Sequence, residues 1–325
     1  MSIVTGNAIG QAYVAMGGKS NADVTYAWPG AVISALTPEA AVQVLYTDDL
    51  KADKKPALQS RAELEAKFAA DGAGVGAGGI KPYFAVYASF FQRSFDQMIH
   101  DVCMPKLNVT LLLDRAGLVG EDGATHHGVW DLASMLPVPN MVILAPRDLN
   151  ELRVMMRWTQ ENESPCAIRY GRESVDLSVR YPAQDKPFRI GEWEMMEQGG
   201  DVALLAVGSM VAEAMEVRDL LERRGIPAAL GNCRSVKPMD EKMLYQLANR
   251  PIVTMEEHVL TGGFGSVVCA FLSGEGLPAP MLSFGIPDTF VQHGRRDQLL
   301  KYLGLTPELM TQRIVIALKN GEKHQ

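Results

Sequence analysis

Cysteine is scarce. Four residues in 325, Cys103, Cys166, Cys233 and Cys269, lie far apart with no CxxC and no metal-ligand spacing. That argues against a disulfide scaffold or a cysteine-held metal, and fits reduced thiols in a cytoplasmic protein. Basic charge is in deficit as well. Lys and Arg total 31 against 38 Asp and Glu, a net charge of −7, so neither nucleic acid nor an anionic membrane is an expected partner. No apolar run approaches the roughly 18 residues of a membrane span. The start, Met1-Ser-Ile-Val-Thr-Gly6, has neither the basic residues nor the apolar stretch of a secretory signal, and none is expected. The remainder is ordinary for a globular chain: 47% hydrophobic, 21% charged, 30 Gly. At this length two or three domains are expected.

What is present centres on one stretch. The apolar run Val109-Thr-Leu-Leu-Leu113 reads as a buried parallel strand. Asp114-Arg-Ala-Gly-Leu-Val-Gly-Glu-Asp-Gly-Ala-Thr-His-His-Gly128 follows, with charge, glycine and two histidines in fifteen residues. A loop at the carboxyl end of an α/β strand has this character when it carries chemistry, although a solvated connecting loop has it too. Arg115 is a fixed cation suited to a phosphate or carboxylate. Asp122, His126 and His127 can accept, donate or move protons near neutral pH.

Residues 1–71 read differently. Asn7-Ala-Ile-Gly-Gln-Ala-Tyr-Val-Ala-Met-Gly-Gly18 is small and glycine-rich, and Trp28-Pro-Gly30 follows shortly after. This stretch, through Leu64, resembles the carboxyltransferase subunits of biotin-dependent acyl-CoA carboxylases, a crotonase-like fold. The family's Gly-Gly-Ala-Tyr oxyanion turn reads here Gly10-Gln-Ala-Tyr13, one glycine short, and only a late fragment of that domain is matched. Ser60 and Glu63 form a capping-box pattern for a helix with Leu64 and Phe68 four apart. The tract Asp71-Gly-Ala-Gly-Val-Gly-Ala-Gly-Gly79 is either a linker or a closely packed helix.

From residue 72 the pattern becomes βα. Lys81–Tyr87 alternates like a strand. Ala88–Val102 reads as an amphipathic helix with Phe91, Phe95, Met98, Ile99 and Val102 on one face. Pro139–Pro146 holds a further strand. Asp148-Leu-Asn-Glu151 is a capping-box start for a helix burying Leu149, Leu152, Met156 and Thr159. Asp131 is expected to cap a helix through Leu132 and Met135. Tyr181–Pro187 reads as a linker, Val202–Val207 as a strand, Met210–Arg224 as a helix stopped by Gly225, and Ile252–Glu257 as a strand ending at His258. Gly262-Gly-Phe-Gly-Ser266 opens a helix, but its spacing is neither a P-loop nor a dinucleotide fingerprint.

Residues 72–325 resemble the 1-deoxy-D-xylulose-5-phosphate synthases, thiamine-diphosphate enzymes of the transketolase group. The resemblance is carried by Tyr87-Ala-Ser-Phe-Phe-Gln-Arg93, the Asp114–Gly128 loop, Ala167-Ile-Arg-Tyr-Gly-Arg172, Val236-Lys-Pro-Met-Asp240, Glu256-Glu-His-Val259 and Pro287-Asp288. It implies two parallel or mixed-sheet α/β domains, a pyrimidine-binding domain over 72–180 and a transketolase C-terminal domain over 188–325, preceded by the partial crotonase-like fragment. It implies that Phe90 stacks on the aminopyrimidine ring, with Tyr87 and Arg93 facing the same cleft. Taken alone, without the flanking match, Phe90 reads as a core aromatic rather than a ligand-stacking one. Arg115 and Arg169 are implied to bind the phosphate of glyceraldehyde 3-phosphate. Asp122 and His126 are implied to contact the reacting carbonyl and hydroxyl groups. His100 and His258 read as structural, and the C-terminal domain as serving dimer assembly and cleft shape.

Two family features are missing. The Gly-Asp-Gly…Asn motif that holds Mg²⁺ and the diphosphate occurs nowhere, and the Gly-Ile-Ala-Glu-Gln-His segment with the activating glutamate does not precede Lys81. Thiamine diphosphate and Mg²⁺ are therefore implied by resemblance only, with the Mg²⁺ site outside this chain. The expectation is a synthase-like portion with little or no turnover alone, as a homodimer or beside a partner chain supplying the diphosphate domain. The alternatives are a chimeric reading frame, a non-enzymatic dimerisation module and an acyl-CoA carboxyltransferase component.

Overall fold

The computed structural model describes residues 2–4, 25–27, 81–172, 181 and 187–322. The capping-box helix of residues 60–69, the glycine tract, the Gly10–Tyr13 turn and most of the 181–187 linker lie outside the described residues.

The strands run in chain order β1 (Ser2–Val4), β2 (Thr25–Ala27), β3 (Tyr83–Tyr87), β4 (Thr110–Asp114), β5 (Val142–Leu144), β6 (Cys166–Arg169), β7 (Glu194–Glu197), β8 (Val202–Ala206), β9 (Ala228–Asn232), β10 (Ser235–Lys237), β11 (Ile252–Val259) and β12 (Met281–Ile286). One sheet has the order β10-β5-β6-β4-β3-β1-β2 and the other β12-β11-β8-β9-β7. Pairing is parallel except for β10 on β5 and β7 on β9. The antiparallel β10 follows β9 of the second sheet in the chain yet pairs at the edge of the first. Backbone hydrogen bonds thereby tie the two α/β units together.

The apolar runs behave as predicted for strands covered on both faces. Leu111, Leu112 and Leu113 are buried, as is every residue of β8 and β11. The Lys81–Tyr87 strand differs from its expected alternation, since Tyr83 to Tyr87 are all buried. Cover on both faces removes the reason for a polar side.

The Ala88–Val102 segment departs from a regular helix. It winds as a 3₁₀ turn at Phe91–Ser94, an α turn at Phe95–Gln97 and a π turn at Met98–Cys103. The wide turn shows in the bonds from Met104 N–H to the Ile99 carbonyl and from Leu107 N–H to the Val102 carbonyl, each 2.9 Å. The change of pitch brings Phe91, Met98, Val102 and Cys103 to the core, while Phe95 and Ile99 are only partly buried.

The cap at Asp148 forms: its Oδ1 accepts the Glu151 amide at 2.7 Å, starting the helix Leu149–Glu161. The reciprocal contact is shifted by one residue. Glu151 Oε2 accepts the Arg147 amide at 2.8 Å, not that of the cap. The buried face is Leu152, Met155, Met156 and Thr159, with Leu149 at its margin. The helix Met210–Glu222 ends as expected, with Gly225 at φ +74°. Asp131 does not cap. Trp130 precedes the helix Asp131–Met135, and the Asp131 carboxylate turns inward to Arg169.

Candidate functional site

Tyr87 and Asp114 are register partners at the carboxyl ends of the adjacent parallel strands β3 and β4. Residues at this edge of an open sheet face the crevice where ligands bind in α/β folds. Tyr87 and Phe90 stack with centroids 5.4 Å apart and planes 10° from parallel. His126 meets the Phe90 ring edge-on at 5.3 Å. The Arg93 guanidinium lies 5.4 Å from the Phe90 centroid and that of Arg115 3.8 Å from the Tyr87 centroid. The turn after Tyr87 and the loop after Asp114 thus deliver Tyr87, Phe90, Arg93, Arg115 and His126 to one place.

Arg115 takes a left-handed backbone, φ +59°. This folds its side chain back onto Asp114: the amide donates to Oδ1 at 2.8 Å and Nη1 to Oδ2 at 2.5 Å. Burial pushes the Asp114 carboxyl up, and the Arg115 charge opposes it, with a smaller contribution from Arg172.

Asp122 sits in a short turn, Gly120–Asp122, and accepts from Arg172 Nη1 at 3.0 Å. The same nitrogen donates to the Val119 carbonyl at 3.0 Å. His126 Nδ1 lies 2.9 Å from the Thr125 hydroxyl. His127 is a different kind of residue, 1% exposed. Its Nδ1 accepts the Val119 amide at 3.0 Å, so the proton sits on Nε2, which points at the Gln292 carbonyl 3.3 Å away. Burial lowers its pKa and keeps it neutral. His127 therefore supports the loop from behind.

The structure does not bring Arg169 to this group. Its guanidinium is 5% exposed and bound to Asp131, Nε to Oδ2 at 2.7 Å and Nη2 to Oδ1 at 3.3 Å. β6 remains buried through Arg169, and Tyr170 is buried after it. The chain clears the sheet edge only at Arg172, which stands half-exposed beside Asp122.

His258 is fully buried. It stands 3.8 Å from Asp131 Oδ1 and 3.9 Å from Glu256 Oε2, and its Nε2 accepts the Ala133 amide at 3.3 Å. The Gly-rich turn at 262–266 does offer free amides, but the protein fills them itself. Glu256 accepts Phe264 N–H at 2.7 Å and Gly265 N–H at 2.8 Å. Among the described residues no group of three or more His, Cys, Asp or Glu is placed to hold a metal ion, and no helix is long and apolar enough to cross a membrane.

Three family descriptions match the chain. Transketolase, pyrimidine binding domain, covers residues 64–176 and Transketolase, C-terminal domain, covers 191–310. Carboxyl transferase domain covers 1–99. The 1-deoxy-D-xylulose-5-phosphate synthase of Pelotomaculum thermopropionicum is 45% identical over 246 residues, 75% of this chain and 38% of that protein. That of Heliobacterium modesticaldum is 44% identical over 230 residues, 70% of this chain and 35% of that protein. A solved structure described as a split gene transketolase, inactive beta4 tetramer, is 33% identical with a TM-score of 0.70, covering 78% of this chain and 81% of that one. The chain belongs to the transketolase family. It spans between about a third and two fifths of the length of the curated synthases it matches.

Proposed function

We propose that residues 72–180 and 188–325 are the pyrimidine-binding and C-terminal domains of a 1-deoxy-D-xylulose-5-phosphate synthase-type transferase. Its reaction condenses the two-carbon remainder of pyruvate with glyceraldehyde 3-phosphate, with release of carbon dioxide. The observation that carries this reading is the single cluster formed by the Tyr87–Phe90 stack, the edge-on His126 and the Asp122–Arg172 pair at the sheet's carboxyl edge.

The aromatic cluster suits a flat heterocycle, so the residues present fit the pyrimidine half of thiamine diphosphate. Phe90 packs on its ring, with Tyr87 and Arg93 alongside. When bound, the cofactor supplies the carbon nucleophile. Arg115 and Arg172 bind the phosphate of glyceraldehyde 3-phosphate as paired cations, with Arg169 held apart by Asp131. Asp122 orients the substrate hydroxyl. His126 donates or holds the proton at the carbonyl oxygen, with Thr125 fixing its ring.

In this reading the diphosphate and Mg²⁺ site and the activating glutamate, whose motifs are not among these residues, come from a partner chain. The likeness to a split-gene transketolase of comparable extent supports that arrangement. By itself the chain turns over little or no substrate. The test is calorimetry with glyceraldehyde 3-phosphate, then assay of carbon dioxide release from pyruvate with thiamine diphosphate and Mg²⁺. Binding without turnover, and turnover once a chain bearing Gly-Asp-Gly…Asn is added, is the expected result. Turnover by the chain alone, or no affinity for the phosphate sugar, overturns it.

A further inference from the structure

The loop that carries Asp122 and His126 is closed at its base by two backbone bonds, Gly117 N–H to the Gly128 carbonyl at 2.8 Å and Gly128 N–H to the Gly117 carbonyl at 2.9 Å. Directly beneath lies Glu257 of β11, 3% exposed and contributed by the other sheet. Its Oε1 accepts the Leu118 amide at 2.7 Å. Its Oε2 accepts the Ser209 hydroxyl at 3.0 Å and Arg296 Nη2 at 2.5 Å. A Cβ on Gly117 would stand 2.9 Å from Oε1, so the loop backbone reaches this carboxylate only because residue 117 has no side chain.

We propose that Glu257 is a positioning residue for substrate binding: through the Leu118 amide it sets where the C-terminal half of the chain holds the Asp122, His126 and Arg172 cluster. The assignment rests on the substrate reading above. Burial pushes the Glu257 carboxyl up, but the Arg296 charge and the three hydrogen-bonding partners prevail and bring it below the ordinary carboxylate range. It stays ionised, which strengthens each bond it accepts. The displacement reaches the cluster by short steps. Leu118 leads into Val119, whose carbonyl holds Arg172 and whose amide holds His127. His127 in turn meets the Gln292 carbonyl, and Gly294 N–H donates to the Gly120 carbonyl at 3.3 Å. Both limbs of the loop are therefore gripped from the C-terminal half of the chain, by Glu257 of β11 and by the 292–294 segment after β12.

The test compares wild type with Glu257→Gln in the full chain, by amide hydrogen exchange and by calorimetry with glyceraldehyde 3-phosphate. The amide nitrogen of Gln only donates, so in place of Oε2 it accepts from neither Ser209 nor Arg296. Expected is exchange about tenfold faster in peptides spanning 117–128 and affinity about tenfold weaker, with β8 and β9 unchanged. Should that variant fail to fold, Ser209→Ala removes one bond to the same carboxylate and keeps its charge pair. It is expected to quicken the same peptides about threefold. A folded variant with an unchanged loop, or a loosened loop with unchanged affinity, overturns the assignment. So does acceleration spread evenly over both sheets. If wild type itself has no affinity for the sugar phosphate, the substrate reading fails. Localised loosening in the variant then still establishes that Glu257 holds the loop.

Discussion

Arg169 and Asp131 close a two-point ion pair inside the protein, with Nε–Oδ2 at 2.7 Å and Nη2–Oδ1 at 3.3 Å, and His258 stands 3.8 Å from the same carboxylate. The pair joins the end of β6 to the helix that follows the Asp114–Gly128 loop. The arginine for which family resemblance implies a phosphate is paired inside the protein with a buried carboxylate.

Breaking that pair strands a buried charge. Asp131→Asn is expected to cost about 3–5 kcal/mol, because Arg169 loses its counterion without access to water. Urea unfolding followed by circular dichroism reads this directly. A loss below about 1 kcal/mol would show the pair to be as weak as a surface one.

Arg172 is expected to behave in the opposite way. It is exposed at the cleft, so Arg172→Ala leaves the unfolding midpoint nearly unchanged. Affinity for glyceraldehyde 3-phosphate falls about 5- to 30-fold, the value of a charge-assisted contact to phosphate. Arg172→Lys recovers part of it, since it keeps the charge but loses the forked geometry. Calorimetry on the three proteins decides the matter.

Two buried groups set opposing pH dependences. Burial, only partly countered by Asp131, lowers His258 to about 4 from its ordinary 6.5. The unfolded chain then takes up the proton first, and this group removes stability as pH falls from 6.5 to 4. Burial raises Glu256 from 4.5 to about 7, despite two amide donors. Here the folded chain takes up the proton first, so this group adds stability as pH falls from 7 to 4.5. In wild type the two offset across the shared window. His258→Gln removes one side. Its stability at pH 5 relative to pH 7 is expected to rise by about 2 kcal/mol compared with wild type. Equal pH profiles for the two proteins in urea titrations would refute this.

Gly128 allows no side chain. A Cβ there would lie 2.4 Å from the Arg115 carbonyl oxygen and 2.6 Å from Ala88 Cβ. Gly128→Ala is expected to force the base of the loop apart and cost about 2 kcal/mol or more, as overpacking against backbone does. Thermal unfolding and hydrogen exchange of residues 115–130 measure it. An unchanged melting temperature would mean that the loop base is looser than its bonds suggest.

The sequence by itself determined the βα order, because apolar runs such as Leu111–Leu113 and Val202–Ala206 have no stable place except between covering layers. It also determined the helix start at Asp148 and the stop at Gly225, which are local backbone events. The aromatic turn at Tyr87–Arg93 and the polar loop at Asp114–Gly128 were marked as a candidate site by family resemblance, since a core aromatic and a solvated loop use the same residue types. The tertiary structure alone decided which arginine is buried and which is exposed. Arg169 and Arg172 are chemically alike, and only the length of β6 and the location of Asp131 separate them. It also decided the role of Glu257. A run of Glu-Glu-His inside an apolar strand signals buried partners, but those partners are the Leu118 amide and Ser209, 139 and 48 residues away. Contacts of such separation exist only once two sheets have packed, and no local pattern encodes them.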